Sequence, residues 1–388
     1  MKSHASRRSF LAAGLTLPAA ALATPQKPQA APPQAAKAAS QAVAFRSLGK
    51  TGLKVTSVGF GCMLASDSSV VSRAVDMRIN YFDTARVYMG GNNERMVGSC
   101  LKGGIRHKVI LSSKSMAKTA AEARAHLDTS LKELGTDYLD IWYMHSRDEA
   151  AAIPDEIVPV WEDAKKQGKI RFIGISTHNP KAILDRVIQV GKFEVLLSTY
   201  NFAVGSNNDA AYERLDKAGI GLVAMKVMAP AVPFKGDFGF QPRDRTKVPG
   251  GALASLKWVL RNQRIGTAIP SITDTDQLQE NFRAMSEPFG APDEKVLAAI
   301  DRNIRPLYCR MCYQCAGQCP KGAAVPETIR YLSYHDFYGQ FALGREHFAA
   351  LPEAARNVRC GECESCSVTC PNGVRVAERL IRAQELFA

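Results

Sequence analysis

Phe82-Asp83-Thr84-Ala85-Arg86-Val87-Tyr88 is the stretch on which the reading of this chain turns. An apolar segment containing Ile79, Tyr81 and Phe82 ends in a carboxylate, and a tyrosine follows five residues later. Singly, such residues have ordinary roles: a strand-end Asp forms a turn or caps a helix, and a Tyr packs with a polar tip. Two later segments repeat the arrangement. Val109-Ile110-Leu111-Ser112-Ser113 runs into Lys114, and Tyr138-Leu139-Asp140-Ile141-Trp142-Tyr143-Met144 runs into His145. Reactive groups at the carboxyl ends of successive parallel strands meet on one rim of a barrel, where barrel enzymes do their chemistry.

The surrounding pattern agrees. A hairpin is expected from Arg46 to Val55. Strands then begin at Ser57, Tyr81, Val109, Leu139, Phe172, Val195, Gly221 and Thr267. Between them lie segments of helical period, among them Ala120–Leu134, Ile157–Gln167, Asn208–Lys217 and Ala252–Arg261. Gly135, Gly168, Gly191 and Gly219 stand where helices close. Eight strands alternating with helices over roughly 250 residues fit an α/β (β/α)8 TIM barrel. A doubly wound sheet competes, but no Gly-x-Gly-x-x-Gly opens the first unit. The long connection from Ala229 to Gly250, rich in Pro, Gly and Phe, follows the seventh strand and is expected over the active rim.

The four strand-end groups suit one chemistry. Carbonyl reduction needs a hydride donor and a proton donor for the developing alkoxide. A free tyrosine titrates near ~10, a reluctant acid at neutral pH. A lysine beside it favours the phenolate, and a carboxylate keeps that lysine charged and in place. A histidine orients or polarises the carbonyl. Tyr88, Lys114, Asp83 and His145 supply these parts. Cys62, which ends the first strand, is read as a buried packing residue rather than a pocket group.

Residues 45 to about 290 resemble the aldo-keto reductase family. The resemblance rests on the Phe-Asp-Thr-Ala-x-x-Tyr run, the strand-ending Lys114 and Met144-His145. It rests also on Phe172-Ile173-Gly174-Ile175-Ser176, Tyr200-Asn201 and Ile269-Pro270 with Glu280-Asn281. It implies a nicotinamide cofactor, NADP or NAD, across the carboxyl rim, and a small carbonyl or alcohol substrate. Tyr88 would be the general acid, paired with Lys114 and Asp83, with His145 at the substrate oxygen. Ser176 and Asn179 would hold the carboxamide, and Glu280 and Asn281 the adenine. Some positions depart from the family. Leu197 stands in place of a carboxamide-binding Gln, and Met225 in place of a stacking Tyr. Ser271 and Gln277 replace the cations expected for a 2′-phosphate. Thr177-His178 separates Ser176 from Asn179.

Eight of the ten cysteines lie in two runs, Cys309-x2-Cys312-x2-Cys315-x3-Cys319-Pro320 and Cys360-x2-Cys363-x2-Cys366-x3-Cys370-Pro371. A disulfide framework and zinc ribbons are the alternatives. Two Cys-x2-Cys pairs per zinc leave the third and fourth Cys of each run unexplained. The doubled run resembles a bacterial two-cluster ferredoxin, which implies two [4Fe-4S] clusters. One would take Cys309, Cys312, Cys315 and Cys370; the other Cys360, Cys363, Cys366 and Cys319. The aromatic segment Tyr331 to Phe348 is expected to cover the clusters or dock on the barrel. The resulting organisation is a barrel at 45–300 and a small C-terminal α-helical ferredoxin-like domain at 301–388.

At the start, Arg7-Arg8 precedes an apolar run from Phe10 to Ala23, with Ala21-Leu22-Ala23 as a small-x-small cleavage site. This resembles a twin-arginine (Tat) export signal at 1–23, followed by a disordered linker at 24–44. Periplasmic localisation by the Tat export machinery is expected, a route that carries folded, cofactor-loaded proteins. The formal net charge is +13, of which Lys2, Arg7 and Arg8 supply three. The charge suits an acidic partner, but no basic stripe interleaved with aromatics points to nucleic acid. A hydride carries two electrons and a [4Fe-4S] cluster takes one. Three readings are therefore held: a redox enzyme served by a periplasmic or membrane electron carrier, an electron-transfer or docking protein with a silent barrel, and a reductase with structural clusters.

Overall fold

The computed structural model describes residues 43–228 and 249–388. The export-signal and linker readings fall outside the described residues, as does nearly all of the connection from Ala229 to Gly250. Strands β1 (Phe45–Ser47) and β2 (Lys54–Thr56) form the expected antiparallel hairpin. Eight parallel strands follow: β3 (Phe60–Gly61), β4 (Tyr81–Asp83), β5 (Ile110–Ser115), β6 (Leu139–Met144), β7 (Ile170–Thr177), β8 (Val195–Thr199), β9 (Gly221–Met225) and β10 (Ile265–Ala268). Each pairs with the next in sequence order. Bridges between Val58 and Ala268 and between Gly61 and Ser271 join the first strand to the last, closing a (β/α)8 barrel.

One helix follows each barrel strand: α1 (Ser68–Asp76), α2 (Asn92–Cys100), α3 (Ala120–Leu134), α4 (Val158–Lys166), α5 (Pro180–Val190), α6 (Asp209–Lys217), α7 (Gly251–Leu260) and α8 (Thr275–Arg283). Local rules set their limits. At α3 the Thr119 hydroxyl accepts the Glu122 N–H at 3.2 Å, while Glu122 Oε2 accepts the Thr119 N–H. Gly135, with φ of 62°, ends the helix in the left-handed conformation.

Alternation along each strand sorts the core. On β6, Trp142 and Met144 face the helical layer, whereas Ile141 and Tyr143 fill the barrel interior. Leu48, Leu53 and Val55 of the hairpin join that interior and plug its amino-terminal end. The base of the barrel is therefore apolar, and the polar strand ends are left at the opposite rim.

The chain continues through α9 (Ala291–Ile304), α10 (Val325–Tyr338), α11 (Phe341–Ala349), α12 (Glu353–Arg356) and α13 (Val376–Phe387). The described residues, 43–228 and 249–388, belong to one compact unit. Leu297, Ile300, Ile304, Tyr308 and Phe337 share an apolar cluster with Ala203 and Ala254 of the barrel. Lys257 of α7 pairs with Asp293 of α9 at 2.8 Å. Helix α10 is buried along almost its whole length, because it packs against α11 and α13 as well as the barrel. The buried Asp336 holds Arg379 at 2.6 Å and Arg382 at 2.9 Å across the α10–α13 contact. No helix of the described residues is long and apolar enough to cross a membrane.

Candidate active site

Strand register assembles the centre of the rim. Asp83 pairs with Ser112 across β4 and β5. Ser112 and Lys114, two residues apart, project from the same side of β5. The Ser112 hydroxyl donates to Asp83 Oδ1 at 2.7 Å, and Lys114 Nζ donates to Oδ2 at 2.5 Å. The ammonium also donates to Thr84 O at 2.7 Å and to the Tyr88 hydroxyl at 3.2 Å. All three donor positions of Lys114 are thus occupied, and the side chain is fully buried.

Tyr88 reaches this point through a tight turn. Met89 (φ 51°), Gly90 and Gly91 take successive left-handed conformations that reverse the chain into α2. Arg86 pairs with the buried Glu94, which also accepts the Ser113 hydroxyl at 2.6 Å, fastening the turn to β5. His145 follows β6 directly, its N–H bonded to Ser115 O at 2.9 Å. Its ring lies edge-on to Tyr88 with centroids 6.0 Å apart. The four expected groups therefore converge.

Burial pushes the Tyr88 phenol up, against the opposing pull of Lys114, so it is protonated at neutral pH. Burial works against the Lys114 ammonium, but Asp83 and Tyr88 outweigh it and carry its pKa upward. His145 is held well below its ordinary range by burial and by nearby positive charge, and is a neutral imidazole. Its Nδ1 is buried without a partner among the described residues.

A cavity of about 680 Å³ opens onto these groups. Tyr88, Asp83 and His145 line it, as do Met225, Ser271, Gln277, Glu280 and Asn281. Other expected residues stand elsewhere. Ser176 is buried, and its hydroxyl accepts the Ser146 N–H at 2.9 Å. Asn179 sits at the start of α5, outside the cavity wall. Cys62 is fully buried against Phe60 O, as expected of a packing residue, and Leu197 belongs to the barrel interior.

Several wall residues were not anticipated. His178, from the two-residue separation after Ser176, faces the cavity. Burial takes it down to about 4, against the pull of Asp148. Lys226 follows β9 with a left-handed φ of 53°. It obeys the same strand-end rule as Lys114 and His145, which was a legible signal. Tyr334, Phe337, Tyr338 and His347 come from α10 and α11, so the aromatic segment docks on the barrel and roofs the cavity.

Several residues of the cysteine runs pack with Val325 and Ile329 of α10 and Leu380 of α13. None of the ten cysteines is in a disulfide. Cys309 is pushed up to about 12 by burial, with Cys315, Cys312 and Cys370 close enough to add to the effect. Cys360 is raised by burial and then by Cys319, Cys363 and Cys366. Among the described residues no set of three or more His, Cys, Asp or Glu side chains is arranged to hold a metal ion.

A barrel carrying an Asp–Lys–Tyr–His rim over a deep cavity defines an oxidoreductase of carbonyl and alcohol groups. Residues 64–251 match the family described as "Aldo/keto reductase family". L-galactose dehydrogenase of Arabidopsis thaliana is 29% identical over 309 residues, covering 68% of this chain and 95% of that protein. Among solved structures, the holo form of aldo-keto reductase AKR11C1 from Bacillus halodurans superposes with a TM-score of 0.56 at 23% identity, over 67% of this chain and 96% of that one. An aldo-keto reductase from Klebsiella pneumoniae, in complex with NADPH, has a TM-score of 0.54 at 22% identity, over 67% and 95%. The family match stops short of the cysteine runs.

Proposed function

We propose that the chain interconverts a carbonyl and an alcohol with NADP or NAD as hydride carrier, and that Tyr88 is the proton donor and acceptor. The observation that carries this reading is the buried Lys114 ammonium, held at 2.5 Å from Asp83 and 3.2 Å from the Tyr88 hydroxyl, with Asp83 and Tyr88 both lining the cavity. The cavity suits a nicotinamide cofactor. Both side-chain amide atoms of Asn281 are buried on its wall without partners among the described residues, which leaves them free for a bound base.

A bound nicotinamide supplies or receives the hydride at the carbonyl carbon. In the reducing direction Tyr88 gives its phenolic proton to the oxygen as negative charge develops there. Lys114 stabilises the phenolate left behind, and Asp83 keeps Lys114 charged and in place. The neutral His145 is positioned to orient the carbonyl oxygen. In the oxidising direction the proton returns from the alcohol to Tyr88.

The tail is read as holding two [4Fe-4S] clusters, one on Cys309, Cys312, Cys315 and Cys370, the other on Cys360, Cys363, Cys366 and Cys319. Three features support this. The thiols feel one another's charge within those two groups. Val325, Ile329, Val368, Val374 and Leu380 give them an apolar surround. Met311 N, Asn372 Nδ2 and Lys321 Nζ donate to Cys309, Cys312 and Cys363 sulfur, each at 3.3 Å, favouring thiolate. Export by the twin-arginine route completes the reading.

Tyr88→Phe is the test. Carbonyl turnover should fall by about 10²-fold or more, with iron and sulfide content unchanged. Retained turnover would remove Tyr88 from the mechanism. The alternative, an electron carrier with a silent barrel, requires wild-type protein that binds no nicotinamide yet carries both clusters.

A further inference from the structure

We propose that Lys226 is the anion-binding group of the cavity and selects carbonyl substrates that carry a carboxylate. The proposal rests on the reading of this cavity as a carbonyl site and names the class of compound it takes. Lys226 lines the cavity. Its ammonium lies 4.5 Å from the centre of the Tyr334 ring and 4.9 Å from that of Tyr338, both on α10. No carboxylate of the described residues pairs with it.

Of the candidates for such a pair, Glu280 on α8 lines the cavity but forms no ion pair with Lys226, and the others are already engaged. Asp148 is taken by Arg330 at 2.5 Å and by the His178 and Thr177 donors. Asp83 is taken by Lys114, and Asp274 accepts the Gln277 N–H at the start of α8. The other polar groups around Lys226 are Arg330, a second cation, and the histidines His178 and His347. Both histidines are held down to about 4 and are neutral at working pH. Two aromatic faces steady a cation but do not neutralise it. Burial and Arg330 accordingly bring the Lys226 ammonium down to about 7, so an incoming anion would restore its charge.

The backbone holds the group in this place. Lys226 has left-handed φ, which a non-glycine residue adopts only where its surroundings impose it. Its carbonyl is tied to Asn201 Nδ2 at 2.9 Å, and Asn201 itself is buried.

A cofactor phosphate is the other source of negative charge. The substrate is favoured because the roof stands on the proton-donor side of the cavity. Tyr334, against which the ammonium rests, is near enough to interact with Tyr88 when either ionises, and His347 stands in the same relation to His145. The nucleotide-facing residues Gln277, Glu280 and Asn281 come instead from α8.

The test compares two aldehydes of one chain length, 4-oxobutanoate and butanal. Their binding to the full chain, with its clusters and nicotinamide in place, is measured by calorimetry. Wild-type protein should bind the carboxylate compound more tightly. Lys226→Met should reduce that preference by about thirtyfold, and Lys226→Arg should restore most of it. A wild-type protein without preference, or an unchanged preference in Lys226→Met, overturns the proposal. So does a loss that falls on the NADPH dissociation constant instead, which would assign the ammonium to the cofactor. Turnover of butanal is followed separately. Its absence in wild type would count against the reductase reading and leave the binding comparison intact.

Discussion

Arg330 Nη1 lies 2.5 Å from Asp148 Oδ2, joining a helix of the cysteine-rich tail to the loop after β6 across 182 residues of sequence. The same nitrogen donates to the Tyr313 hydroxyl at 2.9 Å, and Tyr313 sits between Cys312 and Cys315. On its other side Asp148 accepts the His178 N–H at 2.6 Å, and His178 faces the cavity. A continuous set of polar contacts thus runs from the first cysteine run to the cavity wall. Arg330→Met leaves Asp148, its side chain 17% exposed, without its charge partner, which costs about 3 kcal/mol. Denaturant unfolding should show the loss, and adding Asp148→Leu should recover part of it. Additive losses in the double variant would show that the two side chains do not act as a pair.

Acid stability should report the same contact. Burial alone would raise the Asp148 carboxyl, but Arg330 and His178 hold it well below the usual range. Its native pKa is therefore depressed relative to the unfolded value of ~3.9. The unfolded chain binds the proton first as pH falls. The contribution is complete above about pH 5 and disappears on acidification through the native value. Unfolding free energy measured from pH 6 to pH 2 should fall more steeply for wild type than for Asp148→Asn.

The Tyr88–Lys114 contact fixes the alkaline limb of catalysis. The proton donor must be protonated, and burial places Tyr88 above its ordinary value near ~10. Reduction should be flat through neutral pH and decline only above about pH 10. Oxidation, which needs the phenolate, should rise across the same range. Lys114→Met removes the charge that pulls the phenol down, so the limb should move further up as the rate falls. A limb that stays in place would separate Lys114 from the titrating group.

Cofactor preference should respond to Gln277. Its side-chain amide caps its own helix, with Nε2 donating to Asp274 Oδ2 at 2.7 Å and to Thr273 Oγ1 at 2.9 Å. The cavity wall here carries Asp274 and Glu280, which offer nothing to a 2′-phosphate. Gln277→Arg adds a charge-assisted donor and should tighten NADPH relative to NADH by about tenfold. Fluorescence titration of both nucleotides measures the ratio. An unchanged ratio would place the ribose elsewhere.

Much of this protein was legible in its sequence because the deciding physics is local. Hydrophobic period marked the strands and helices. The helical period over Ala120–Leu134, closed by Gly135, matches the limits of α3 as the chain folds it. Asp83, Lys114 and His145 could be placed on one rim from strand polarity alone, since parallel strands present their carboxyl ends together. The bond from the Ser146 N–H to the Ser176 hydroxyl was not legible, because it depends on how the loop after β6 meets the end of β7. The tertiary structure alone decided what covers the rim. It brought Tyr334, Phe337, Tyr338 and His347 over the cavity, set Lys226 between two rings, and paired Arg330 with Asp148. Periodicity and caps act within a turn or two of chain, whereas these contacts depend on how α10 packs against the barrel on one side and α11 and α13 on the other.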